Sequence, residues 1–205
     1  MDSAPFIVGV GGFTSNVGKT SLMCELLRAF PGWEAIKTTR GHYRSCGKDP
    51  ETCCVSHLLQ AEPLIRSGRD TTYESGKDTG RYWDAGAANV HWLIATDDQI
   101  DQGIHEALGR VSSSGVFIEG NSFSQFIRAD YFVMVKNSLN DTIKKSARAV
   151  MPEVSALFIY GPPSKQESTT PLVDDLIHGI PVFEAPSLPL LIADLRMALG
   201  ARLIN

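Results

Sequence analysis

Residues 5–30 read PFIVGVGGFTSNVGKTSLMCELLRAF, and the fold turns on how that stretch is parsed. Gly18-Lys19-Thr20 ends a phosphate-binding loop of the pattern G-x-x-x-x-G-K-S/T, yet a strict count puts the first glycine where Phe13 stands. Gly12 comes one residue early. The surrounding parts are in the required order. Residues 6–10 form an apolar run that reads as a strand, and residues 19–30 carry apolar side chains at the i, i+3, i+4 spacing of a helix packed on a sheet. Backbone N–H groups at the start of such a helix make an anion nest. Gly18 lets the backbone approach phosphates closely, Lys19 supplies charge, and the Thr20 hydroxyl can ligate Mg²⁺. The expected nucleotide-binding residues are therefore Gly12, Thr14, Ser15, Asn16, Val17, Gly18, Lys19, Thr20 and Ser21. A Gly-Lys-Thr that merely caps a helix is the alternative, and the order strand, loop, helix speaks against it.

Outward from the loop, further apolar runs fall at residues 34–37, 90–95, 116–119, 131–135, 156–160 and 181–183. With the first run they predict about seven strands, separated by helical patterns at residues 97–111, 141–151 and 188–199. The implied architecture is a three-layer α/β sandwich on a mostly parallel sheet. One stretch, from Thr38 to about Gly76, shows no clear period and holds Cys46, Cys53 and Cys54. We read the chain as one domain with a cysteine-containing insertion at about residues 43–75.

Composition narrows the ligand class. The 19 basic and 23 acidic residues give a formal charge of -4, which lacks the electrostatic footprint of a nucleic-acid or anionic-membrane binder. Small ligands are expected instead. No apolar run approaches the ~20 residues that span a bilayer. The start MDSAPF has no basic region followed by an apolar one, and together these point to the cytoplasm. In that setting the four cysteines are thiols or ligands rather than a disulfide framework.

Two resemblances address the misplaced glycine. Read from Gly12, G-F-T-S-N-V-G-K-T closely resembles the G-T-D-T-x-V-G-K-T loop of the dethiobiotin synthetases, whose first glycine is also one residue early. Residues 74–87, ESGKDTGRYWDAGA, resemble the G-K-D-S-x-R-H-x-x-A-G-A signature of the molybdopterin-guanine dinucleotide biosynthesis protein B (MobB) family. Gly76, Lys77, Asp78, Arg81, Ala85, Gly86 and Ala87 match it. That family's I-K-H-D-H-H and E-G-F-K strand ends correspond in order to the segments beginning Ile36-Lys37-Thr38-Thr39 and Ile118-Glu119-Gly120-Asn121. Tyr82 stands at the family's histidine, and Thr38 and Thr39 at its His and Asp, so the branch is divergent. The MobB resemblance implies a P-loop NTPase that binds GTP. It would act as an adaptor for guanylylation of molybdopterin, with a separate nucleotidyltransferase supplying the transfer, and the resemblance to P-loop proteins that pair their nucleotide faces implies a homodimer. The dethiobiotin synthetase resemblance implies an ATP-dependent small-molecule ligase or kinase, although Thr14 occupies that family's Asp position.

The expected chemistry then has named carriers. Glu119 ends an apolar run, which puts its carboxylate at the C-terminal edge of a strand, where it can join Thr20 in holding Mg²⁺; a solvated strand-end acid is the alternative. Asp78 reads either as a magnesium or water partner or as a helix N-cap. Lys37 reads either as a second phosphate-directed lysine, as the resemblance implies, or as a solvated one. Lys19, Lys37 and Asp78 are thus the candidate catalytic residues. Arg40 reads either as a cation that neutralises charge developing on a transferred phosphoryl group or as a solvated loop side chain, and His42 reads no more sharply. The Asn-Lys-x-Asp box of many GTPases is absent from Lys136-Asn137-Ser138-Leu139. By the dethiobiotin synthetase resemblance the purine falls instead near Tyr160 and Pro186, and GTP or ATP both remain open. Cys46, Cys53 and Cys54, with His57, allow three outcomes: no ligand, a metal site of a metallochaperone-type NTPase, or a disulfide.

Overall fold

The computed structural model describes residues 4–41, 56–161 and 177–204. His42, Cys46, Cys53, Cys54, Pro162 and Pro163 lie outside the described residues, and so does the metal or redox reading of the cysteines.

Eight strands form one sheet in the order β3-β4-β2-β5-β1-β6-β7-β8. They are β1 (Phe6–Gly12), β2 (Glu34–Arg40), β3 (Leu64–Ser67), β4 (Val90–Ala95), β5 (Gly115–Glu119), β6 (Tyr131–Asn137), β7 (Ala156–Tyr160) and β8 (Val182–Glu184). Every pairing is parallel except β3 with β4. The expected α/β sandwich is what forms, with one strand more than the apolar runs announced. The addition, β3, lies in the stretch without a period. It is a four-residue antiparallel edge in which only Ile65 is buried, too short to leave an alternating signal. That stretch is also partly helical, and β2 runs on to Arg40 within it.

The helices are α1 (Lys19–Ala29), α2 (Arg69–Thr72), α3 (Asp78–Asp84), α4 (Ile100–Leu108), α5 (Lys145–Val150) and α6 (Leu188–Ile204). A mostly parallel sheet must be covered on both faces, and its inner strands are accordingly continuous apolar runs. On one face α1, α3 and α6 pack Leu22, Leu26, Tyr82, Leu191 and Leu195 against Val8, Val10 and Phe117. On the other, α4 and α5 pack Ile100, Ile104, Ala147 and Val150 with Ile118, Phe132 and Met134. No helix among the described residues is long and apolar enough to cross a membrane.

Phe13, the residue that breaks the strict loop pattern, is fully buried in the second of these cores. Its N–H donates to the Val135 carbonyl at 3.0 Å, the bond that closes the last β1–β6 pair, Gly12 with Val135. A side chain can stand where the pattern wants glycine because it points to the face opposite α1.

Candidate nucleotide site

The C-terminal ends of β1, β2 and β5 meet at the start of α1, and that edge gathers the polar side chains. Gly18 is the helix N-cap with φ 101°, and a Cβ there would lie 2.5 Å from the Tyr160 ring, so both conformation and packing require glycine. Asn16 also adopts a positive φ of 58°. Left-handed residues in such a turn are a feature of the loops whose backbone N–H groups form anion nests. Val17 is buried in the core and can serve only through its backbone. The loop is braced from outside: Asn121 accepts from Gly12 N–H at 2.9 Å and donates to Gly12 C=O at 3.0 Å, while the Lys144 ammonium donates to Ser15 Oγ at 2.7 Å.

Lys19, the first residue of α1, donates to the Thr14 carbonyl at 3.4 Å. Burial holds its pKa below the ordinary lysine value, and the neighbouring Lys37 and Lys144 push the same way against Glu119. An anion near its ammonium would relieve that strain.

Behind Lys19 lies a network centred on Glu119, a carboxylate at the end of β5 that is 3 % exposed. Lys37 is its register partner on β2, and the two side chains share a face of the sheet. Lys37 Nζ sits 2.7 Å from Glu119 Oε1 and 2.6 Å from Asp78 Oδ2. Burial alone would lower the Lys37 pKa, but the two carboxylates override it and hold the ammonium charged above its usual range. Asp78 shows the converse: burial raises its pKa, and Lys37 overrides that and holds it below the carboxylate norm. The second Glu119 oxygen accepts from Thr20 Oγ1 at 3.2 Å and from the Tyr82 hydroxyl. Burial, followed by the Glu119 charge, drives the Tyr82 pKa well up, so the phenol remains a donor. Thr38 Oγ1 donates to the Glu119 carbonyl at 2.6 Å, and a Cβ on Gly120, whose φ is 143°, would fall 2.1 Å from Thr38 Oγ1.

Lys19, Thr20, Lys37, Asp78 and Glu119 are thus brought together. Asp78 is not a capping residue: Lys77 is the N-cap of α3 and makes no side-chain cap, and the Asp78 carboxylate is turned to Lys37 instead. The helix also carries Arg81, whose Nη2 donates to Ser21 Oγ at 3.3 Å. Tyr160 packs on Gly18, and burial pushes its phenol up to about 12. Pro186 sits exposed in the turn Ala185–Ser187, which packs beside β7. His57 lies in the turn Ser56–Leu58. Residue types and spacing did not single out Tyr82, Asn121 or Lys144. Tyr82 stood out only as a departure from a motif, Asn121 only as the residue after Glu119-Gly120, and Lys144 left no local trace.

Strand, nest, lysine and helix in this order, on a parallel sheet of this topology, define the P-loop NTPase fold. Solved structures of that fold are similar to this chain. HypB from Helicobacter pylori, solved in complex with nickel, superposes with a TM-score of 0.55 at 12% identity over 95% of this chain and 86% of its own. LpxK from Aquifex aeolicus, solved in complex with ATP, gives a TM-score of 0.51 at 19% identity over 89% of this chain. The present chain spans 54% of LpxK, about half its length. MobB from Bacillus subtilis is similar at a TM-score of 0.42 and 16% identity, over 94% of this chain and 96% of its own. No protein-family model matches the sequence, and no curated protein matches it either.

Proposed function

We propose that the protein is a Mg²⁺-dependent nucleoside triphosphatase, with GTP as its nucleotide, that serves as an adaptor in guanylylation of the molybdenum cofactor. The observation that carries this reading is where the segment resembling the MobB signature lies. Residues 74–87 form α3 and its flanks, and that one segment delivers Asp78 to Lys37, Tyr82 to Glu119 and Arg81 to Ser21. A motif of purely structural meaning would have no need to converge on the loop that holds phosphates.

In this reading the nest and Lys19 bind the β- and terminal phosphates. The Thr20 and Glu119 oxygens, 3.2 Å apart, are hard donors that suit Mg²⁺, with Glu119 acting directly or through a water. The ion would neutralise charge on the transferred phosphoryl group. Lys37 carries a fixed positive charge toward the terminal phosphate, and Asp78 holds that ammonium in place and can orient a water for attack. The base rests near Tyr160 and Pro186. The resemblance adds a homodimer, a nucleotidyltransferase and molybdopterin as partners, all in the cytoplasm.

Thermal denaturation with GTP, ATP and a metal series, together with phosphate release, tests the reading. Stabilisation by Mg·GTP well beyond that by Mg·ATP, with phosphate release, is expected. Preference for ATP with turnover only when a small acceptor is added would replace it with the dethiobiotin synthetase-type ligase or kinase. No response to either nucleotide would remove it.

A further inference from the structure

A cavity of about 230 Å³ opens beside Lys19, between the ends of β2 and β5 and the start of α5. Its charged lining is Lys19, Arg40 and Lys144, and its neutral lining includes Thr38, Asn121 and Ser146. No carboxylate and no apolar side chain lines it among the described residues. Arg40 comes from the end of β2 and is held at the rim by its Nε, 2.8 Å from Asp97. Lys144 comes from the residue before α5 and reaches Ser15.

These two cations belong to elements outside the phosphate-binding loop. A terminal phosphate at the loop would engage Lys19, and Arg40 and Lys144 line the same cavity. Arg40 keeps guanidinium donors beyond the Nε that meets Asp97, and Lys144 keeps ammonium donors beyond its bond to Ser15; carboxylate or phosphate oxygens suit both. We infer that the Arg40 and Lys144 side of this cavity, which borders the phosphate-binding residues Gly12, Thr14 and Lys19, is a second-ligand site for a small polyanion bearing carboxylate or phosphate groups, seated next to the terminal phosphate. The inference rests on the nucleotide reading above and names the class of molecule that accompanies the nucleotide. A site of this kind lies at the carboxyl edge of an open α/β sheet, where ligands of such folds collect.

Isothermal titration calorimetry on the full chain decides it, with nucleotide occupancy measured in the same samples. The protein is saturated with Mg²⁺ and a non-hydrolysable GTP analogue, then titrated with succinate in one arm and inorganic phosphate in the other, which separates carboxylate from phosphate recognition. One anion is expected to bind at unit stoichiometry with the nucleotide in place. Arg40→Ala should weaken that anion at least tenfold, Arg40→Lys should weaken it less, and nucleotide affinity should change less than threefold in both. Loss of anion binding once nucleotide saturates would show that the cavity is the terminal-phosphate subsite itself and would overturn the inference, as would no binding of either anion. Should the chain bind no nucleotide, the nucleotide reading fails on its own. The titration without nucleotide then decides the cavity: anion binding sensitive to Arg40→Ala upholds an anion site, and its absence removes it.

Discussion

Tyr82 donates its hydroxyl to the Glu119 oxygen that also receives Thr20, so one carboxylate atom links α3, β5 and the first turn of α1. The other oxygen is engaged by Lys37. A carboxylate with so many fixed donors does not reorient freely, and in a site of this kind fixed orientation is what lets an acid meet a metal ion or its water without reorganising first.

Tyr82→Phe removes the hydroxyl and keeps the ring, which is fully buried between α1 and the sheet. A hydrogen bond to a charged group contributes about 1.5–3 kcal/mol, and Lys37 and Thr20 remain, so the loss of stability should be about 1–2 kcal/mol. The larger effect should fall on Mg²⁺: its half-saturation concentration in a turnover assay is expected to rise about tenfold, in keeping with a loss of ~1.4 kcal/mol in positioning. An unchanged Mg²⁺ dependence with lowered stability would reduce Tyr82 to a packing residue.

Glu119→Gln takes a negative charge from the candidate metal site and keeps the volume, while its amide NH₂ must face either Lys37 or the Thr20 and Tyr82 hydroxyls. Nucleotide affinity measured with Mg²⁺ should fall by about tenfold or more, while affinity measured in EDTA should hold or rise, because the repulsion between carboxylate and phosphates goes with it. Equal losses in both conditions would show that Glu119 acts through the fold.

The fold was legible because its signals are local and long. An apolar strand, a glycine at the helix start and a helical period lie within residues 6–30, and the inner strands are unbroken apolar runs. What escaped depends on contacts distant in sequence. β3 is a four-residue edge with Arg66 and Ser67 in it, and carries no period. Asp78 beside Arg81 read as well for a cap as for a site, because its ammonium partner Lys37 is brought up by a different strand. Lys144 reaches Ser15 across 129 positions, with nothing local to announce it. Phe13 misled for the opposite reason: a strict motif count asks for glycine there, and here the side chain is buried in the core on the face opposite α1.

Lys19→Ala tests the loop. The ammonium lies among Lys37 and Lys144, is partly desolvated, and makes a single long bond to Thr14, so it contributes little to folding. Thermal stability without nucleotide should stay within ~0.5 kcal/mol of the parent or rise. Hydrolysis should fall about a hundredfold or more, since charge developing on the phosphoryl oxygens loses its nearest cation. Unchanged turnover would exclude this site.

The last prediction concerns the other end of the sheet, where Glu34 on β2 and His91 on β4 are buried together at 1 % and 0 % exposure. His91 Nε2 lies 2.7 Å from Glu34 Oε2, and Glu34 Oε1 accepts from the N–H groups of Ser112 and Ser113 and from Ser112 Oγ. Burial raises the Glu34 pKa, but these donors, His91 first, outweigh it and hold the group below the usual carboxylate range. A depressed folded pKa means that the stabilising contribution is present above the unfolded value and is lost as pH falls through the folded one. The parent should therefore lose stability progressively below about pH 4.5, and Glu34→Gln should show a shallower decline there. At neutral pH the variant should be less stable by about 2–4 kcal/mol, because its amide NH₂ replaces one oxygen and faces donors where an acceptor is required. Nucleotide affinity should be unchanged, since the pair sits at the strand ends away from the loop. Urea unfolding of both proteins across pH 3–7 checks this, and parallel pH profiles would show that the Glu34 charge is not what holds this end of the sheet together.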